Sequence, residues 1–185
     1  MALDAASDIV AQDGLRGLST RGIAREIGYT AGTLYQLFED LDDLIEQMNG
    51  DTLANLYEAC KSIELAAGAA ESLKELSRRY IRYTRAHPRL WAAIIEHQLP
   101  NGRDHSERYL LALHGLFILV ETAIAPFFAD GDDEKRLHHA RLLWASYYGI
   151  HALAVTRSLA KTETVDSMAN TLIEVHLIAL QAAGN

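Results

Sequence analysis

Residues 19–38 read STRGIAREIGYTAGTLYQLF, and this stretch decides the fold. Two short apolar runs, Ile23-Ala24-Ile27 and Leu34-Tyr35-Phe38, are separated by Gly28 and by Thr30. Ser19 can accept a hydrogen bond from an orphan amide at the start of a first helix, and Thr30 can do the same for a second. Ala24 is small enough for another helix to cross closely over it. Gly28 can take the left-handed conformation that stops one helix and redirects the chain, at no Cβ penalty. Leu34 then falls on the inner face against Ile23 and Ala24. The pattern predicts a helix-turn-helix.

Read outward, Gly14, Ser19, Arg21, Ile23, Ala24, Gly28, Thr30, Gly32, Thr33, Leu34, Tyr35, Phe38, Asp42, Asp43 and Leu44 together resemble the DNA-binding segment of TetR-family transcriptional regulators. The resemblance implies an all-α protein of about nine helices. A three-helix DNA-binding head would occupy residues 1–48, and a ligand-binding and dimerisation domain residues 49–185. It implies that Thr30 to Phe38 is the recognition helix, entering the major groove of a double-stranded operator by its N-terminal end. Ser19 and Thr30 would then belong to the DNA-facing set as well as capping their helices. Ala31 and Gly32 would approach base edges, Thr33 and Tyr35 would reach phosphates, and Gln36 would read adenine or a phosphate. Arg21 would clamp a phosphate. Tyr35 has a second reading, completion of the small core of the head, which is compatible with a phosphate contact.

The remaining sequence is that of an ordered, helical, soluble chain. Hydrophobic residues make up 49% and charged residues 23%, a balance that excludes intrinsic disorder. Cys60 is the single cysteine and cannot form an internal disulfide, and no signal segment is apparent; both point to the cytoplasm. From Leu110 to Phe128 the chain is nearly all apolar, but His114, Glu121 and Thr122 interrupt it, so a buried helix is preferred over a membrane span.

In chain order the apolar spacing predicts helix one at Ala2 to Asp13. Helix four follows, capped by Asp40 and running toward Ile63 with a bend near Gly50. After the small residues Ala66 to Ala70 come helix five from Ser72 to Ala86, helix six from Pro88 to Gln98, and helix seven from His105 to Phe128. Helix eight spans Asp133 to Leu159 and helix nine Glu163 to Ala183. Helix eight carries a stripe of Leu137, Ala140, Leu143, Trp144, Tyr147, Ile150 and His151. Helix nine carries Val165, Met168, Leu172, Val175 and Ala179. By the resemblance this pair forms a four-helix homodimer interface and thus calls for a near-palindromic operator; the other reading packs both stripes inside one subunit. The stretch WASYYGIHAL, Trp144 to Leu153, also resembles, more loosely, a tryptophan and histidine-glycine motif of some TetR-like C-terminal domains, with Tyr148 in place of the histidine.

The resemblance further implies a small-molecule pocket among helices five to eight. Its candidate wall is Tyr80, Tyr83, Trp91, Ile95, Tyr109, Leu113, Phe117, Trp144, Tyr147, Tyr148 and His151, although aromatics at helical spacing are equally at home in a core. On helix seven, Leu110, His114, Phe117 and Glu121 share one stripe. Either that stripe faces solvent, or His114 and Glu121 anchor a ligand; with Glu121 or Glu96 in the pocket, the effector would be cationic or hydrogen-bond-donating, and with the aromatic wall it would be aromatic.

Three departures favour an alternative, a TetR-shaped ligand- or protein-binding module that no longer reads DNA. Leu41 stands where the family has a backbone-gripping lysine. The sequence begins almost at helix one, without a basic arm. Residues 1–50 hold three arginines, no lysine and nine acidic residues, a net charge of −6, and duplex affinity depends on neutralising phosphates. Gly22, where the family often has an acidic capping residue, is a further oddity. No metal-ligand spacing, phosphate-binding glycine loop or nucleophile motif is present, so neither an enzyme nor a metal or cofactor is expected.

Overall fold

The computed structural model describes residues 1–62, 68–160 and 162–183. Among them are nine α-helices and no strands: α1 Ala2–Asp13, α2 Thr20–Glu26, α3 Ala31–Leu34, α4 Leu41–Lys61, α5 Ala69–Ala86, α6 Pro88–Glu96, α7 Glu107–Ile124, α8 Asp133–Val155 and α9 Val165–Ala183. The expectations touching Ile63 and Ala66 lie outside the described residues. Contacts divide the chain into two compact units, one built from Met1–Leu56 with Thr84–Leu113, the other from the described residues of 57–83 and from 114 onward.

The first unit is the predicted helix-turn-helix with α6 added to its core. Ile23, Ala24, Leu34, Leu44, Ile45 and Met48 are buried together with Ala6 and Val10 of α1 and Ala93 of α6. The Ser19 hydroxyl accepts from the Gly22 amide at 3.1 Å, and the Thr30 hydroxyl from the Thr33 amide at 3.3 Å, so both caps form as read. A Cβ on Gly22 would sit 3.0 Å from that same Ser19 oxygen, which gives the glycine a local reason. Gly28 has φ +74°; its amide donates to Arg25 O at 3.3 Å and the Tyr29 amide donates to Ala24 O at 2.8 Å. This pair of bonds is the Schellman stop, in which a left-handed residue lets two orphan carbonyls find donors.

The recognition helix is shorter than predicted. Only Ala31–Leu34 is α-helical; Gln36 and Leu37 donate back three residues, to Thr33 O and Leu34 O, so the backbone tightens into turns before Phe38. The apolar spacing overstates the helix because only Leu34 of its three apolar positions is fully buried. Tyr35 is 58% exposed, which removes its reading as a core residue. Asp40 caps α4 as expected, its carboxylate accepting from the Asp43 amide at 2.8 Å. Helix α4 then runs unbroken through Gly50, whose missing Cβ serves a close approach: an added one would lie 3.2 Å from the Tyr109 backbone nitrogen.

The second unit gathers the end of α4, most of α5, most of α7, and α8 and α9. Gly115 lets α7 lie directly on Tyr57 of α4, since a Cβ there would come within 3.0 Å of the ring. Residues 107–127 are long and apolar enough to cross a membrane by length and composition, yet in the fold this helix packs along α4 at Gly50 and at Tyr57. Helix α8 ends four residues earlier than predicted. The Thr156 hydroxyl donates to the Ala152 carbonyl at 2.8 Å and Arg157 adopts φ +56°, a stop that no glycine announces.

The stripe predicted on α8 for subunit association turns inward: Ala140, Leu143, Ile150 and His151 are buried within the chain. What α8 leaves exposed is a different set, Leu142, Gly149 and Leu153, whereas α9 exposes Val175 and Ala179 of its predicted stripe together with Ile178. Between the two helices His139 Nδ1 lies 3.3 Å from His176 Nε2.

Gly28 offers a direct test of the turn. No atom lies within 4 Å of a Cβ built there, so Gly28→Ala meets only the backbone penalty of the left-handed conformation. Urea unfolding is expected to show a loss of about 1–2 kcal/mol; an unchanged midpoint would mean that the turn relaxes freely.

Candidate nucleic-acid interface and effector cavity

The residues predicted to face DNA lie on one continuous stretch of the head, and nearly all are accessible. Ser19, Arg21, Thr30, Gly32, Tyr35 and Gln36 are exposed, and Ala31 and Thr33 are half-buried. Arg21 and Arg25 are exposed and form no ion pair among the described residues, so both charges remain available to phosphates. Tyr29, just ahead of the Thr30 cap, is 52% exposed and adds a large phenol to the same stretch. Its place between a glycine stop and a cap is the signal that marks it in the sequence.

Several carboxylates of α4 find partners within the same unit. The Arg103 guanidinium grips Asp40 with two bonds, 2.9 and 2.8 Å, and lies 3.6 Å from Glu39. His97 Nε2 sits 3.0 Å from Asp42 Oδ1. Glu46, only 3% exposed, accepts from the Ser106 amide at 3.2 Å and lies 2.9 Å from His105 Nδ1. Arg108 pairs with Asp51. Every one of these partners comes from α7 or the segment joining α6 to it. The Arg103 pair weakens the local field at the start of α4, while the unit as a whole keeps its acidic balance.

The second unit holds an apolar cavity of about 50 Å³. Leu73, Leu76, Ser77 and Tyr80 of α5, Leu116, Leu119 and Val120 of α7, Leu143, Trp144 and Tyr147 of α8, Ile173 of α9 and Cys60 of α4 line it. Tyr80 is the hub of an aromatic cluster, its ring edge-on to His151 at 4.7 Å, Tyr147 at 5.6 Å and Trp144 at 6.0 Å; Phe117 meets Trp144 from the other side at 5.9 Å. Edge-to-face pairs of this kind fix ring orientation as well as filling space. Burial raises the Tyr80 phenol well above its ordinary value, the Tyr147 phenol to about 12 and the Cys60 thiol to about 11. All three are neutral at physiological pH, and no charged residue lines the space.

Of the residues predicted for the pocket wall, Tyr80, Trp144 and Tyr147 line this cavity. His151 and Phe117 stand one layer behind as ring partners. Tyr83 and Tyr148 are half-buried in the same unit, the former with its phenol pushed up to about 12 by burial, but do not line it. Trp91, Ile95, Tyr109 and Leu113 belong to the first unit, where Trp91 is 1% exposed and Tyr109 stacks flat on His105 at 4.1 Å. His114 is exposed. Glu121 is mostly buried but faces Arg136 at 3.6 Å, and Glu96 is exposed in the first unit. Aromatic enrichment, as a sequence signal, passes over the aliphatic majority of the wall and over Ser77 and Cys60.

A helix-turn-helix with accessible basic and hydroxyl side chains, followed by a helical unit with an apolar cavity, is the architecture of an all-α DNA-binding regulator. Residues 2–48 match the family model of bacterial regulatory proteins, tetR family, and residues 73–176 match that of the tetracyclin repressor-like C-terminal domain. The chain belongs to the TetR family of transcriptional regulators. It is similar in fold to a protein of unknown function from Rhodococcus sp. RHA1, with 23% identity, a TM-score of 0.71, and coverage of 96% of this chain and 92% of that one. It is likewise similar to the regulator FadR from Bacillus subtilis in complex with stearoyl-CoA, at 14% identity, TM-score 0.69 and 95% coverage of each chain. Mycobacterium smegmatis BioQ is similar at 16% identity, TM-score 0.69, with 98% of this chain and 96% of that one covered. None of the curated proteins matches this chain.

The Arg103–Asp40 pair makes a pH test possible. The guanidinium holds the Asp40 carboxyl well below its ordinary 3.8. A carboxylate with a depressed folded pKa contributes stability above its unfolded value, and that contribution is lost as pH falls below it. Arg103→Ala is expected to lower Tm at pH 7, and the gap from the parent protein to shrink as pH drops below 3.8. A gap that stays constant down to acid pH would mean that the pair contributes nothing through its charge.

Proposed function

We propose that this chain is a ligand-responsive transcriptional regulator, a repressor that leaves a near-palindromic operator when a small molecule enters its helical body. The observation that carries the reading is the accessible set Arg21, Arg25, Tyr35 and Gln36 on a correctly stopped and capped helix-turn-helix. Phosphate contacts supply most duplex affinity, and free arginines beside a capped helix N-terminus are the groups that make them. Residues 1–48 form the reading part and residues 49–185 the sensing and dimerising part. The function is regulatory rather than enzymatic, and cytoplasmic.

The same reading gives α8 and α9 the dimer interface, through the outward set Leu142, Gly149, Leu153, Val175 and Ile178 rather than the inward stripe. Exposed aliphatics on two adjacent long helices, with a glycine leaving room for close approach, suit a self-complementary four-helix contact. Two heads on a twofold axis would then read two half-sites. The cavity between α5, α7 and α8 is the place for the effector. FadR, similar in fold, holds stearoyl-CoA, which supports an apolar ligand for this chain as well.

Fluorescence anisotropy on DNA from upstream of the protein's own gene and its neighbours, across a salt series, tests the reading. Saturable, sequence-selective binding is expected, with Arg21→Ala reducing the salt slope by about one per subunit. Selective binding absent at low salt from a folded dimer would favour a TetR-shaped ligand- or protein-binding module instead. Separately, Ile178→Glu is expected to shift the protein to monomer in sedimentation velocity and to abolish high-affinity operator binding; a persistent dimer would place the interface elsewhere.

A further inference from the structure

With the cavity of the second unit taken as the effector site, the chemistry of its wall also limits what the effector can be. The two carboxylates that could have drawn in a cation are both accounted for: Glu121 faces Arg136, and Glu96 is exposed in the other unit. No lysine, arginine or histidine lines the space either, so an anionic group would be equally unpaired. Moving a charge out of water without a partner costs several kcal/mol. The lining residues with a polar atom are Ser77, Tyr80, Tyr147, Trp144 and Cys60. The Tyr147 hydroxyl is buried without a well-formed hydrogen bond, and its polar neighbour is the Ser77 hydroxyl, itself on a residue only 4% exposed.

Volume adds a second constraint. A cavity of about 50 Å³ is far below the roughly 150 Å³ that accommodates benzene. Any effector larger than a few atoms must therefore push the wall apart, and long flexible aliphatic groups do this against Leu73, Leu116, Val120 and Leu143 with the least polar cost. We propose that the cavity selects an uncharged, mainly aliphatic effector or effector segment, whose single hydrogen-bonding group is received by the Ser77–Tyr147 hydroxyl pair.

Three probes with the same chain and different head groups test this: 1-octanol, octylamine and octanoate, titrated calorimetrically into the full-length protein at neutral pH. Octanol is expected to bind at least tenfold more tightly than either ion. Its affinity is expected to fall severalfold in Tyr147→Phe and in Ser77→Ala, two small substitutions whose folding is checked by circular dichroism. Equal or tighter binding of octylamine or octanoate, binding of none of the three, or octanol affinity untouched in both variants would overturn the proposal. Repeating the titrations in the presence of DNA separates this from the wider reading. Octanol bound in the cavity with no effect on DNA affinity leaves the ligand class standing and overturns the ligand-responsive regulator; release of DNA by octylamine alone does the reverse.

Discussion

The first unit is organised by the crowding of carboxylates at the start of α4. Asp40, Asp42, Asp43 and Glu46 fall within seven residues, which favours the positive end of the helix dipole but would repel both one another and DNA. The fold answers with partners delivered from far along the chain: the Arg103 guanidinium on Asp40, and the His97 and His105 rings on Asp42 and Glu46. Arg103 holds its partner with a planar two-point grip, a geometry a lysine could not reproduce. The reading head is therefore not a free-standing three-helix module. Its electrostatic balance and part of its core, through Ala93, come from α6 and the segment after it.

This dependence explains which features can be read from sequence and which cannot. Caps and stops are local: Ser19, Thr30, Asp40 and Gly28 each announce a hydrogen-bond need that neighbouring residues satisfy, and each behaves as read. Partnerships between residues far apart in the chain have no such signature. Nothing in the order of residues links Arg103 to Asp40, 63 positions away. The aromatic residues show the same limit from another side. Periodicity says that Trp91, Tyr109 and Tyr147 face inward, but not into which interior; two of them fill the first unit and one lines the cavity. On α8 the stripe is legible as apolar but not its neighbour, because buried stripes and association stripes are made of the same residues.

On the proposed reading, the narrowness of the cavity bears on how a ligand would act. A ligand shifts a conformational equilibrium only by its difference in affinity between the two states. A pre-formed roomy pocket would accept its ligand with little preference and thus with little leverage. A space of about 50 Å³ walled by Leu73, Leu76, Leu116 and Leu143 cannot be filled without moving α5, α7 or α8, so most of the gain from burying an aliphatic chain is available only to a dilated arrangement. Helices α5 and α7 each continue into the first unit, α5 through Thr84 and α7 through the Tyr109 turn that lies on Gly50. Close-packed helices shift as bodies rather than bending side chain by side chain. On the proposed reading, an effector that forces the wall apart would displace these helices, and its leverage would grow with the volume it must open.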